Sequence, residues 1–309
     1  MADRSTTQDV TVVRPCEAFY LTVASGALGQ RFCVYHPPRT TEHPIGLVVH
    51  VHAFAEEMNK ARRMVAQQAR ELAGSGFAVL QIDLLGCGDS AGDLGDATWG
   101  HWLDDIVSAA DWLQKRHKGE GEPVPLWLWG LRAGCLVAAA AASRLHGPCN
   151  LLFWQPSLSG RTGLQQFLRL KVASDLLTGR SKSSETARHE LAAGRAVEIA
   201  GYTMTPELAS GLEAASLHPP ARSATVHWLE LTTSAGTILP ASAAVIDQWR
   251  QAGWEVVDKI VEGAQFWQTT EIEEAPALID ATTRALLDSI PSRSVDRTYV
   301  GLTGPHDLH

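Results

Sequence analysis

Leu126-Trp127-Leu128-Trp129-Gly130-Leu131-Arg132-Ala133-Gly134-Cys135 passes from an apolar run, through two glycines four positions apart, into the small residues of 136–142. An apolar run of strand length that breaks at glycine and gives way to small helix-forming residues reads as strand, sharp turn and helix. Glycines on both sides of such a turn remove the Cβ atoms that would crowd it. The same rhythm extends in both directions. Residues 45–52 and 77–83 are β-branched, apolar runs that predict buried strands. Between them, residues 56–73 place Met58, Val65, Ala69 and Leu72 at helical spacing, and Gly74-Ser75-Gly76 stops the helix. Thr98 caps a second helix through residue 116, with Trp102, Ile106, Ala109 and Leu113 on one face. Downstream, strands are predicted at 125–130, 150–155, 225–231 and 254–260, and helices at 132–145, 240–252 and 271–287.

Strands alternating with helices at this spacing predict an α/β fold with a mostly parallel central sheet flanked by helices. Two further runs, 16–23 and 30–35, flank the small residues 24–29 and predict a β-hairpin ahead of it. The alternation stops over residues 157–222, where only helical patterns and loops occur. That stretch is expected to be a helical cap inserted into a single domain of residues 13–290, with a polar, loose tail at 291–309.

Composition narrows the function. The chain has 309 residues and a net charge of −8, the wrong sign for a nonspecific nucleic-acid binder. A hydrophobic content of 45% supports a large core. The five cysteines (Cys16, Cys33, Cys87, Cys135, Cys149) show no CxxC spacing, so neither a disulfide framework nor a structural zinc site is expected. The first ten residues hold no apolar signal core, and the longest apolar run, 135–142, is far short of the ~18 residues of a membrane span. A cytoplasmic protein with no transmembrane segment is expected. Gly86-Cys87-Gly88 is too short for a phosphate-binding glycine loop, so no cofactor is expected.

Gly130 and Gly134 match the glycines of the nucleophile elbow G-x-S-x-G, in which a serine projects from a sharp strand-to-helix turn. Arg132 occupies the serine position. The chain resembles the α/β-hydrolase superfamily over most of residues 13–290. More narrowly, it resembles the second type of exosortase A system-associated hydrolase of exopolysaccharide gene clusters. The stretches that carry this likeness are His52-Ala53-Phe54-Ala55-Glu56-Glu57-Met58-Asn59-Lys60, Asp83-Leu84-Leu85-Gly86-Cys87-Gly88-Asp89-Ser90, Gly130-Leu131-Arg132-Ala133-Gly134 and Phe266-Trp267. The resemblance implies a bacterial surface-polysaccharide setting and hydrolysis of an ester-like bond.

The catalytic triad of that superfamily runs in the order Ser, acid, His. The acid would follow the strand at 225–231, but residues 231–246 contain no Asp or Glu; Glu230 falls inside the strand and Asp247 inside the next helix. The His would follow the last strand, where Gly263-Ala264-Gln265-Phe266 puts Gln265 in its place. Arginine stays protonated and is neither nucleophile nor base, and glutamine does not shuttle a proton. Two functions remain open. One is hydrolysis or transfer at an ester-like bond by a non-triad site near His52, Glu56 and Arg132. The other is a catalytically inactive pseudo-hydrolase that binds an acidic glycan, a lipid carrier or a protein partner in the same pocket.

An elbow side chain points into the pocket, so the Arg132 guanidinium is a candidate for two-pronged recognition of a carboxylate or phosphate. The alternative is an internal ion pair with Glu56 or Glu57. His50 and His52 share a strand face. A metal there would need a third ligand, and no metal site is predicted; His52, oriented by Glu56, is instead the candidate acid or base. Trp129, Trp154 and Trp267 sit near the ends of predicted strands, where ligands bind, and are candidate ligand-stacking groups; core packing is the competing role, as for Trp228. Cys87 and Cys135 are expected to pack rather than react. Asp83, Asp89 and Ser90 are expected to hold a turn. Residues 164–177, with Leu164, Phe167, Leu168, Val172 and Leu176, are expected to form a lid helix over the active edge. The expected partner is a small molecule, a glycan or a lipid-linked ligand.

Overall fold

The computed structural model describes residues 15–23, 29–119, 123–177, 184–233 and 236–290. In chain order the strands are β1 (Glu17–Thr22), β2 (Gln30–His36), β3 (Gly46–Val51), β4 (Phe77–Ile82), β5 (Leu126–Leu131), β6 (Asn150–Trp154), β7 (Val197–Ile199), β8 (Tyr202–Met204), β9 (Thr225–Thr232) and β10 (Glu255–Glu262). The helices are α1 (Glu56–Gly74), α2 (Trp99–Arg116), α3 (Gly134–Ala142), α4 (Gly160–Leu177), α5 (Ser184–Ala192), α6 (Pro206–Ala214), α7 (Pro240–Gln251) and α8 (Pro276–Asp288). Eight strands form one sheet in the order β1-β2-β4-β3-β5-β6-β9-β10. β1 and β2 pair antiparallel, as the hairpin reading expects, and β2 is antiparallel to β4; every other neighbour is parallel. Residues 24–28, read as the hairpin's turn, lie outside the described residues, as does the tail at 291–309.

Two apolar layers sandwich this sheet. α1 and α8 pack on one face with Trp127, Trp129, Leu152, Trp154 and Leu229. α2, α3 and α7 pack on the other with Val49, Leu128, Leu151, Phe153 and Trp228. All six residues of β3, and all six of β5, are buried, which is why those strands read as unbroken apolar runs rather than alternating ones. α2 begins where Thr98 predicts, and the Thr98 hydroxyl accepts from the His101 N–H (3.1 Å). Thr98→Ala is expected to cost about 1 kcal/mol and lower Tm by about 2–4 °C in a thermal melt.

Two expectations need correcting. The helix predicted over 271–287 starts only at Pro276, because 271–275 is loop and proline at the first helical position sets the start. The stretch between β6 and β9 is not purely helical. α4, α5 and α6 are there, but β7 and β8 form an antiparallel hairpin between them. Its two-residue turn is Ala200-Gly201, with φ of 49° and 85°. Both residues are left-handed, as a tight hairpin turn requires, and an alanine at the first position hid the signal that Asn-Gly would have given.

Candidate functional site

The elbow forms where β5 meets α3. Arg132 adopts a φ of 55°, a left-handed backbone that an arginine tolerates only when its surroundings fix it. Its N–H donates to the Trp154 carbonyl (3.0 Å), and its carbonyl accepts from the N–H groups of Cys135 and Ser157 (3.1 Å each). The flanking glycines are sterically required. A Cβ on Gly134 would stand 2.2 Å from the Val51 carbonyl oxygen, and one on Gly130 would stand 2.6 Å from the Cys135 Cα.

Arg132 opens into a cleft of about 370 Å³. Four charged residues line it, Arg132, Glu56, Glu57 and Lys60, with Trp267 and Gln268. Apolar side chains complete the lining: Phe54, Leu136 of α3, Leu164 and Phe167 of α4, and Leu212 of α6. α4 therefore lies over the elbow. Val172 and Leu176, also read as part of this helix's apolar face, lie outside the residues whose side chains are described. Gly160 lets α4 start against the Leu212 carbonyl, 2.0 Å from where a Cβ would sit.

Of the two candidate partners for Arg132, the structure selects Glu57: Arg132 Nε donates to Glu57 Oε1 at 3.2 Å. Nη1 reaches the Gln155 carbonyl at 3.5 Å, and the Arg132 Cζ stands 5.6 Å from the Trp267 ring centroid. Burial pushes the Glu57 carboxyl above the usual carboxylate range, and the Arg132 charge works against that push. Glu56, one residue earlier on α1, faces differently. It accepts from the Tyr202 hydroxyl (2.9 Å), tying the β7–β8 hairpin to α1. Burial, then the Glu56 contact, pushes the Tyr202 hydroxyl up to about 12. Tyr202 escaped the sequence reading together with its hairpin.

The remaining candidates do not gather at the cleft. His52 is buried, and both of its ring nitrogens are used. The Leu84 N–H donates to Nε2 (3.1 Å), so Nδ1 carries the proton and donates to the Ala53 carbonyl (2.7 Å). Burial lowers its pKa, which holds the ring neutral. It braces the loops after β3 and β4 through Ala53 and Leu84 rather than Glu56, and does not line the cleft. His50 is likewise engaged, through Nδ1 with the Trp129 carbonyl (3.1 Å). Gln265 is half-buried in the loop after β10, but the cleft is lined by its neighbours Trp267 and Gln268.

Trp129 and Trp154 are core residues, correcting their reading as ligand-stacking groups. Their rings pack edge to face at 4.6 Å beneath α8, where Trp154 Nε1 donates to the Thr282 hydroxyl (2.8 Å). A sheet covered on both faces turns a strand-end tryptophan into one layer or the other, not toward the edge. Trp267 alone of the three lines the cleft. Glu230 points away, accepting from Trp228 Nε1 (2.8 Å). Burial pushes the Cys87 thiol up to about 12 and raises Cys135 further, so neither is a ready thiolate. Asp83 and Ser90 hold their turn: Asp83 Oδ2 accepts from the Asp89 N–H (3.0 Å), and the Ser90 hydroxyl donates to the Asp83 carbonyl (2.5 Å).

Strand order, elbow and helix placement define the α/β-hydrolase fold. Residues 42–195 match the family described as serine aminopeptidase, S33. Est1E from Butyrivibrio proteoclasticus, solved with ferulic acid bound, aligns at TM-score 0.61 and 15% identity, covering 88% of this chain and 99% of that one. A thermostable carboxyl esterase from Bacillus coagulans aligns at TM-score 0.57 and 15% identity, covering 90% and 99%. An α/β serine hydrolase without lid from Xanthomonas campestris aligns at TM-score 0.54 and 17% identity, covering 91% and 98%. None of the curated proteins is similar to this chain in sequence. Among the described residues, no helix is long and apolar enough to cross a membrane.

Proposed function

We propose that this chain is a ligand-binding member of the superfamily that holds an anionic group on Arg132 and does not hydrolyse esters by a Ser-His-Asp triad. The placement of the Arg132 guanidinium on the elbow, facing the cleft, carries this reading. Arginine stays protonated there, and among the described residues no histidine lines the cleft to relay a proton. Strain supports a binding role at this place. Of the four non-glycine residues with positive φ among the described residues, Ala55 and Arg132 line the cleft, Gln155 lends its carbonyl to Arg132, and the fourth is in the hairpin turn. Backbone strain of about 1–3 kcal/mol per residue persists where function keeps it. The stretch between β6 and β9 acts as the cap that roofs this cleft. The setting, from the resemblance to exosortase-associated hydrolases, is a cytoplasmic step in exopolysaccharide assembly. Hydrolysis by a non-triad route gains no support, since His52 is spent on structure.

The test combines reactivity and binding. Short p-nitrophenyl esters and a serine-reactive fluorophosphonate are expected to give neither turnover nor labelling. Alkyl phosphates or acidic oligosaccharides are expected to raise Tm, and Arg132→Gln is expected to lose that shift, corresponding to about 1.5–3 kcal/mol of binding. Robust turnover, or labelling of Ser157 or Ser159 in the cleft wall, would overturn the proposal.

A further inference from the structure

We infer that the cleft takes a single-tailed amphiphile with an anionic head, and that this head replaces the Glu57 carboxylate on Arg132 while the tail lies among Leu136, Leu164, Phe167 and Leu212. The inference rests on the anion-binding reading above and narrows it from anions in general to one chemical class.

The apolar side chains that line the cleft together with Arg132 are the first support. Among the described residues, the uncharged polar side chains lining the cleft are Ser157, Ser159, Gln166 and Gln268. A sugar lying there would give up hydrogen bonds to water and regain few, whereas an alkyl chain loses nothing. The volume also fits. At roughly 30 Å³ per water-sized group, the cleft of about 370 Å³ holds about a dozen such groups, the size of a medium-length chain with its head.

The second support is how loosely Arg132 is satisfied. Glu57 takes only Nε, at 3.2 Å, and Nη1 has only the Gln155 carbonyl, at 3.5 Å. Among the described residues Nη2 has no hydrogen-bond partner. A guanidinium is best met by two parallel bonds from one anion, and Glu57 does not supply them. Glu57 is 27% exposed, so its side chain has room to swing out. It acts as a resident anion that neutralises Arg132 until a ligand arrives.

This exchange predicts proton uptake. The charged and titratable groups around Glu57 are Arg132 from the elbow, Lys60 and Glu56 from α1, and Tyr202 from β8 through Glu56. α4 contributes uncharged Gln166 to the cleft, and the loop before α8 contributes Trp267 and Gln268. Losing Arg132 to a ligand, and gaining that ligand's negative charge as a neighbour, both favour protonated Glu57. Binding therefore strengthens as pH falls through the Glu57 titration range, because the complex holds more protons than the free protein.

Calorimetric titration with decane-1-sulfonate, whose head does not titrate, tests this against decanol and galacturonate. Wild-type protein is expected to bind the sulfonate at least about tenfold more tightly than either. Its affinity is expected to rise as pH falls through the Glu57 titration range, with proton uptake visible as a buffer-dependent heat. Glu57→Gln is expected to bind the sulfonate more tightly at about pH 7 and to lose the pH slope. Galacturonate binding as tightly as the sulfonate in an Arg132-dependent manner would overturn the amphiphile while leaving the anion reading standing. A wild-type pH slope of zero, or weaker binding by Glu57→Gln, would overturn the exchange. Absence of any Arg132-dependent anion binding would overturn both readings.

Discussion

Asp105→Ala is expected to destabilise the protein by about 3–5 kcal/mol, read as a lowered midpoint in urea. Arg31 on β2 and Asp105 on α2 form an ion pair at 2.8 Å in which both side chains are fully buried. The second Asp105 oxygen accepts from the Leu85 N–H at 2.8 Å, and the Leu85 carbonyl in turn accepts from Trp102 Nε1 at 3.1 Å. One carboxylate thus fastens the antiparallel edge of the sheet, the loop after β4 and helix α2. Burial pushes its pKa up, and the Leu85 N–H and the Arg31 charge pull against that. Truncation takes the Asp105 charge away from a buried guanidinium and leaves a buried N–H without its acceptor. Breaking one half of a buried pair costs far more than removing both. The double substitution Arg31→Met with Asp105→Leu is therefore expected to be less destabilised than Asp105→Ala, while still orphaning the Leu85 N–H. A single variant within about 1 kcal/mol of wild type would contradict this account.

That pair also marks where sequence reading stops. Arg31 and Asp105 are 74 positions apart and nothing local joins them. The parallel strands, α1 and the capped start of α2 were legible because each depends on near neighbours: apolar runs, helical spacing, a threonine cap. The elbow was legible for the same reason, from two glycines and an arginine within five residues. What faces the elbow was not. Glu56 and Glu57 are adjacent on α1, and a helix turns roughly 100° between neighbours, so one meets the hairpin and the other the elbow. Sequence left them interchangeable; only the three-dimensional position of Arg132 separates them. His52 failed as a catalytic candidate through the Leu84 N–H, 32 positions away, which strand order β4-β3 brings beside it. Trp129 and Trp154 failed because a doubly covered sheet leaves no alternation from which to read direction. The misreadings lie among contacts set by topology, and the correct ones among contacts set by local chemistry.

Gly134→Ala is expected to prevent stable folding or to cost more than about 4 kcal/mol, although it adds one methyl group. The new Cβ would lie 2.2 Å from the Val51 carbonyl oxygen and 2.5 Å from that of His52, both backbone atoms at the end of β3. No rotamer change relieves such a contact. Either α3 moves off the sheet or β3 shifts in its pairing with β5, and the fully buried β5 has no room for that. Arg132→Ser is the informative contrast two residues away. It keeps the left-handed backbone and removes an ion pair whose members are 15% and 27% exposed, so solvent screening limits the loss to about 1 kcal/mol. Circular dichroism melts of the two variants are expected to differ by more than about 8 °C. The elbow is then a steric device upheld by its glycines, and the side chain at its tip is free to vary without unfolding the protein. A Gly134→Ala protein melting within a few degrees of wild type, or an Arg132→Ser protein that fails to fold, would show instead that fold and tip are coupled.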